Sequence, residues 1–154
     1  MPTRMTVRSP GAAISVMLAA AVLLTPTWHG LRAAEGLPGA LTCTFDNGTS
    51  VTYGGGAYQA APAKGLAFDI GAIDLDGQRA VLATDKGGKA ELRVVRAVNA
   101  NHFLEVVNEG FLNTTTVYDA DPKRNAHPAV HSRHLGLLGE PVVAQYYGFC
   151  TEKK

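Results

Sequence analysis

The sequence predicts an all-β fold: a single antiparallel up-and-down barrel of about eight short strands, with one short helix before the last of them. Three observations carry this. Apolar and polar residues alternate with a period of two in segment after segment, the signature of half-buried strands. Clusters of Gly, Asn and Asp recur at spacings of about ten residues, the rhythm of antiparallel strands joined by tight turns. The two cysteines of the chain, Cys43 and Cys150, sit in the first and the last of these segments.

Leu41, Cys43 and Phe45 alternate with Thr42 and Thr44, and Asp46-Asn47-Gly48 supplies residues that tolerate positive φ before Thr49 to Tyr53 resumes. A hairpin is expected there. Gly54-Gly55-Gly56 interrupts the pattern, and Ala57 to Gly65, with Pro62, reads as a loop that holds at most a short pairing around Tyr58. Leu66, Phe68 and Ile70 form the next strand, and Ile73 continues it beyond a bulge at Gly71. Asp74-Leu75-Asp76-Gly77 turns the chain, where aspartates serve backbone hydrogen bonding. Ala80 to Thr84, Ala90 to Val98, His102 to Asn108, Phe111 to Tyr118 and Val142 to Cys150 complete the strands, with Leu92 and Val94 on one face and Arg93 and Val95 on the other.

The longest connection, Asp119 to Pro141, breaks the alternation. Pro128 to Leu138 reads as the short helix, with Pro in its first turn, Val130, His134, Leu135, Leu137 and Leu138 near one face, and Gly139 as its stop. Long connections are also where binding groups tend to sit.

An exported protein with two cysteines is expected to pair them. A Cys43–Cys150 bridge requires Cα atoms within about 7 Å, so the first and last strands must be neighbours. An up-and-down barrel places them side by side and leaves no sheet edge exposed. A Greek-key β-sandwich bridged across its sheets is the alternative.

Export itself is read from the N-terminus. Arg4 and Arg8 precede Ala12 to Leu24, a near-apolar run that falls short of the roughly 18 residues of a membrane span. Residues 1–34 are therefore expected to be a cleaved signal peptide, leaving one domain over 35–154 without a membrane span, in the periplasm or outside the cell. Removing Arg4, Arg8 and Arg32 reduces the 14 basic residues to 11 against 13 acidic ones, a balance of −2. The signs are interspersed, which excludes a nucleic-acid footprint. A monomer is expected.

The chemistry concentrates in His127-Pro-Ala-Val-His131-Ser-Arg-His134. On a helix the spacing of His127, His131 and His134 gathers three imidazoles on one face, and neutral imidazoles suit Zn²⁺ or Cu²⁺. Arg133 is a candidate for an ion pair or an anionic ligand. Ser132 lacks a G-x-S-x-G elbow, and Glu105 and Glu109 on one extended strand are about 14 Å apart, too far for a glycosidase pair. Tyr146 and Tyr147 lie on opposite faces of the last strand, so one of them faces a partner or a cavity.

The opening Leu41-Thr-Cys43-Thr-Phe45-Asp-Asn-Gly48, the run to Tyr53 and the closing Cys150 resemble the small exported barrels that inhibit C-type lysozyme in bacterial periplasms. The resemblance implies a barrel of that kind. It carries no functional residue, because the Ser-Gly-(basic)-Tyr loop of those inhibitors has no match here, and His131-Ser132-Arg133 is the nearest approach to it. The reading as a whole is a non-enzymatic exported β-barrel that binds a partner protein or a small molecule through the 119–141 connection. Periplasmic metal binding through His131 and His134, or hydrolysis using Ser132, are the competing functions.

Overall fold

A computed structural model describes residues 36–84, 86–107, 110–137 and 139–154. The expected signal peptide, together with Glu109 and Leu138, lies outside them. Nine strands run through the described part: β1 (Leu41–Gly54), β2 (Ala57–Pro62), β3 (Leu66–Asp74), β4 (Arg79–Ala83), β5 (Lys89–Arg96), β6 (Ala100–Val107), β7 (Phe111–Tyr118), β8 (His127–Leu137) and β9 (Glu140–Glu152). Every pairing is antiparallel. β1 is followed in the sheet by β3 and then by each strand in turn to β9, which pairs back onto β1 and closes an eight-stranded barrel. The connectivity is a plain meander, as the up-and-down reading requires, and not a Greek key.

The strand outside the eight, β2, is an extension of β3. β2 and β3 run in the same direction along one edge of β1, with Ala57–Pro62 opposite Gly54–Thr49 and Leu66–Ile70 opposite Phe45–Leu41. They form one long strand interrupted at Ala63-Lys64-Gly65. The turn that starts this strand is Gly55-Gly56, both with positive φ (60° and 84°), which is what a two-residue hairpin demands. Asp46-Asn47-Gly48, expected to turn, instead continues β1 through a bulge, where the register on β9 shifts between Thr44 and Asn47. Bulges and turns draw on the same residues, and the long β1–β9 ladder decides between them. Gly148 is needed opposite, since a Cβ there would collide with the Thr44 carbonyl oxygen.

The helix expected over 128–138 is also corrected. Its described part is strand, and β8 forms seven residue pairs with β7 and eleven with β9. Without those ladders the barrel would open along two edges, and their hydrogen bonds outweigh a weak helical pattern. Pro128 is tolerated because it precedes the first β7–β8 pair, Val117 with Ala129.

Inward side chains fill the end of the barrel where β1 begins. Leu41, Ile70, Val94, Phe103 and Val117 are at most 1% exposed, and Leu37, Ile73 and Leu75 pack beneath them. Cys43 and Cys150 stand directly opposite each other in this layer with Cα atoms 4.0 Å apart, and they are bonded. Nearby, Asp69 accepts from Lys153 Nζ (2.6 Å) and Thr42 Oγ1 (2.7 Å), so the C-terminal tail is tied to the same seam. Lys153, then Thr42, holds the Asp69 carboxyl below its usual range.

The bridge spans a sequence separation of 107 residues. Replacing both cysteines by alanine is expected to lower the unfolding free energy by about 2–5 kcal/mol in a urea titration. An unchanged free energy would mean that strand pairing alone closes the barrel.

Candidate functional site

The barrel interior changes character from one row of side chains to the next. Val94, Phe103, Thr115, His131 and Tyr146 stand in register across β5 to β9 and cap the apolar layer. One row further from that layer, Glu105, Asn113, Arg133 and Ala144 occupy the equivalent places on β6 to β9. The wall opens at this level, because β5 and β6 pair only from Arg96–Asn101 to Arg93–Leu104 and then part. The result is a cavity of about 580 Å³ at the mouth of the barrel, lined by Lys64, Phe68, Leu82, Lys86, Glu105, Asn113, His131 and Arg133 among others.

His131 forms the floor. It is 1% exposed, and its ring centroid lies 5.1 Å from that of Phe68, 5.8 Å from Phe45 and 5.9 Å from Tyr146. Arg133 Nε donates to His131 Nε2 at 3.1 Å, and His131 Nδ1 lies 2.9 Å from Thr115 Oγ1. A guanidinium has no acceptor, so Nε2 must be unprotonated, and the ring proton sits on Nδ1 and is donated to Thr115. Burial, reinforced by the Arg133 charge, lowers the His131 pKa from 6.5 to about 4 and keeps the ring neutral.

Arg133 is thereby positioned by its inner nitrogen. Its guanidinium carbon also lies 5.7 Å from the Tyr146 ring centroid. The ion pairs among the described residues are Asp74–Arg79, Asp76–Arg96 and Asp69–Lys153, so no described carboxylate pairs with Arg133. Across the row, Asn113 Nδ2 donates to Glu105 Oε2 at 2.7 Å, while Asn113 Oδ1 is buried without a partner.

The structure brings together only some of the residues singled out from the sequence. Arg133, His131 and Tyr146 meet at the cavity. Tyr147 points outward, 50% exposed, with its hydroxyl donating to Gln145 Oε1 at 2.9 Å. His127 donates from Nδ1 to the Tyr118 carbonyl at 2.8 Å. It lies four residues from His131 along an extended strand, or about 13 Å. His134 falls on the outer face in register with Leu112 and Val143. The helical spacing that would have gathered the three histidines is gone, and no group of three metal-ligating side chains forms among the described residues. Ser132 is on the outer face between Thr114 and Gln145, with no hydrogen bond to a described histidine. Cys43 and Cys150 are spent in the disulfide.

Asn113, Thr115, Lys64 and Lys86 are not binding candidates on the sequence alone, and Glu105 enters there only as half of a glycosidase pair that its spacing excludes. Alternation along β6 and β7 puts Glu105, Asn113 and Thr115 on inward faces, but the register that aligns them with Arg133 is a long-range property. No protein-family model matches the chain, and no curated protein matches it.

The neutral burial of His131 has a stability consequence. Its folded pKa lies below the unfolded value, so between pH 6.5 and about 4 the unfolded chain binds a proton that the folded one refuses. Stability is unaffected by this group above that window and falls through it, by at most ~3 kcal/mol. Urea titrations across the window are expected to show this loss, and His131→Gln to flatten it. An equal loss in the variant would assign the effect to other groups.

Proposed function

We propose that this chain is an exported, non-catalytic binding protein that holds a small anionic ligand in the mouth of its barrel, with Arg133 as the anchor. One observation carries the reading: a guanidinium fixed through Nε by a neutral histidine on the lining of an open cavity, with its terminal nitrogens making no hydrogen bond to the described residues. A planar fork of this kind suits bidentate recognition of a carboxylate or phosphate. Lys64 and Lys86, both exposed on the cavity lining, add positive charge that draws anions inward. In this reading the 119–141 segment takes part through the inward face of β8.

Binding is favoured over catalysis because His131, the histidine on the cavity lining, has both ring nitrogens engaged inside the protein and its proton committed to Thr115. The same engagement, and the opposite faces of His131 and His134, argue against the metal-binding alternative. Export to the periplasm or beyond is supported by the disulfide, which persists in oxidising compartments, and by the apolar segment behind Arg4 and Arg8.

Acetate, succinate and inorganic phosphate serve as probes in thermal-shift and calorimetric titrations. At least one is expected to stabilise the folded protein, by about 2.7 kcal/mol at a hundredfold excess over its Kd. Arg133→Gln is expected to weaken binding ten- to hundredfold, and Arg133→Lys, which keeps the charge but loses the fork, to fall between. Stabilisation that survives Arg133→Gln in a variant with native circular dichroism would overturn the assignment.

A further inference from the structure

The cavity carries an ordered pair of charges that a simple anion does not use. Glu105, Asn113 and Arg133 stand side by side in one row across β6, β7 and β8. Neighbouring strands lie about 4.8 Å apart, so the acid and the base are anchored roughly 10 Å from each other with the amide between them. The amide fixes the polarity of the row. Its Nδ2 donates to Glu105 Oε2 at 2.7 Å, which orients the carboxylate, and its Oδ1 is a buried acceptor with no partner among the described residues. Glu105 and Arg133 line one cavity yet do not pair with each other. One side of the row therefore offers a carboxylate that calls for N–H donors, and the other offers a guanidinium that calls for a carboxylate.

We infer that the pocket takes a free α-amino acid, its ammonium held by Glu105, which Asn113 orients, and its carboxylate by Arg133. This rests on the anion-binding reading above and adds to it the requirement for a cation on the same ligand. A cavity of about 580 Å³ leaves room for a side chain as well. With His131 neutral, the described residues of the lining hold three cations, Lys64, Lys86 and Arg133, against one anion, Glu105. That imbalance favours an acidic side chain over a basic one.

Calorimetric titration with L-glutamate, glutarate and L-lysine separates the contributions. Glutarate keeps both carboxylates of glutamate and lacks the ammonium. L-Glutamate is expected to bind at least tenfold more tightly than glutarate and than L-lysine, and Glu105→Gln to abolish the preference over glutarate while leaving glutarate binding intact or stronger. The preference is a ratio within one protein, so a partial folding defect in the variant does not disturb it, and the comparison in the unaltered protein needs no variant at all. Equal binding of glutamate and glutarate, or a preference untouched by Glu105→Gln, overturns the amino-acid assignment while the anion pocket stands. Failure of glutamate, glutarate and the simple anions alike overturns both.

Discussion

The pairing of β1 with β9 is the contact on which the rest of the molecule depends. Without it the meander is an open sheet with two unsatisfied edges, and the side chains that fill the barrel face solvent. The ladder is long, and it carries the disulfide near the end where β1 begins, where Cys43 and Cys150 oppose each other. It also positions Tyr146 on the candidate site. The bulge between Thr44 and Asn47 bends β1 across the barrel, Gly48 and Gly148 let the two backbones approach, and a Cβ on Gly48 would strike the Tyr146 ring. Tyr146 is thus pressed inward against His131 and beneath Arg133.

Much of this fold was legible in the chain because half-buried strands write a period of two. β3 to β7 and β9 fall close to where alternation places them, and the bracketing cysteines made the closed meander the natural topology. Two segments misled for a physical reason. Asp46-Asn47-Gly48 has the chemistry of a turn, but a bulge needs the same residues, and only the distant β9 distinguishes the two. Pro128 and Gly139 bracket β8 like helix ends, and its Val, His and Leu residues can be drawn on a helical face. Ala129, His131 and Arg133 alternate inward just as consistently, and the two flanking ladders decide the matter.

The site was half legible. Arg133, His131 and Tyr146 drew notice as isolated chemistry in an apolar context, whereas Glu105 and Asn113 look like ordinary polar residues of a strand. What makes them part of a site is the register of β6 on β7 and β7 on β8, which joins positions far apart in sequence into one row. His131 stands in a different environment from the helix that the sequence suggests. As a loop or helix residue it suggested a metal ligand, but as an inward strand residue it is a neutral hydrogen-bonding link between Thr115 and Arg133.

That link is a concession in stability terms. An apolar ring in the place of His131 would pack against Phe45, Phe68 and Tyr146 without a desolvation penalty and without sensitivity to acid. It would also leave Arg133 Nε without its acceptor, and the guanidinium free to swing across the open mouth toward Glu105. The neutral imidazole prevents this collapse, because it accepts from Arg133 on one side while Thr115 fixes its tautomer on the other. The unpartnered Asn113 Oδ1 is a second concession in the same row. Local rules broken side by side, at the one level where the wall opens, mark a place where the barrel gives up packing to hold an acid and a base apart.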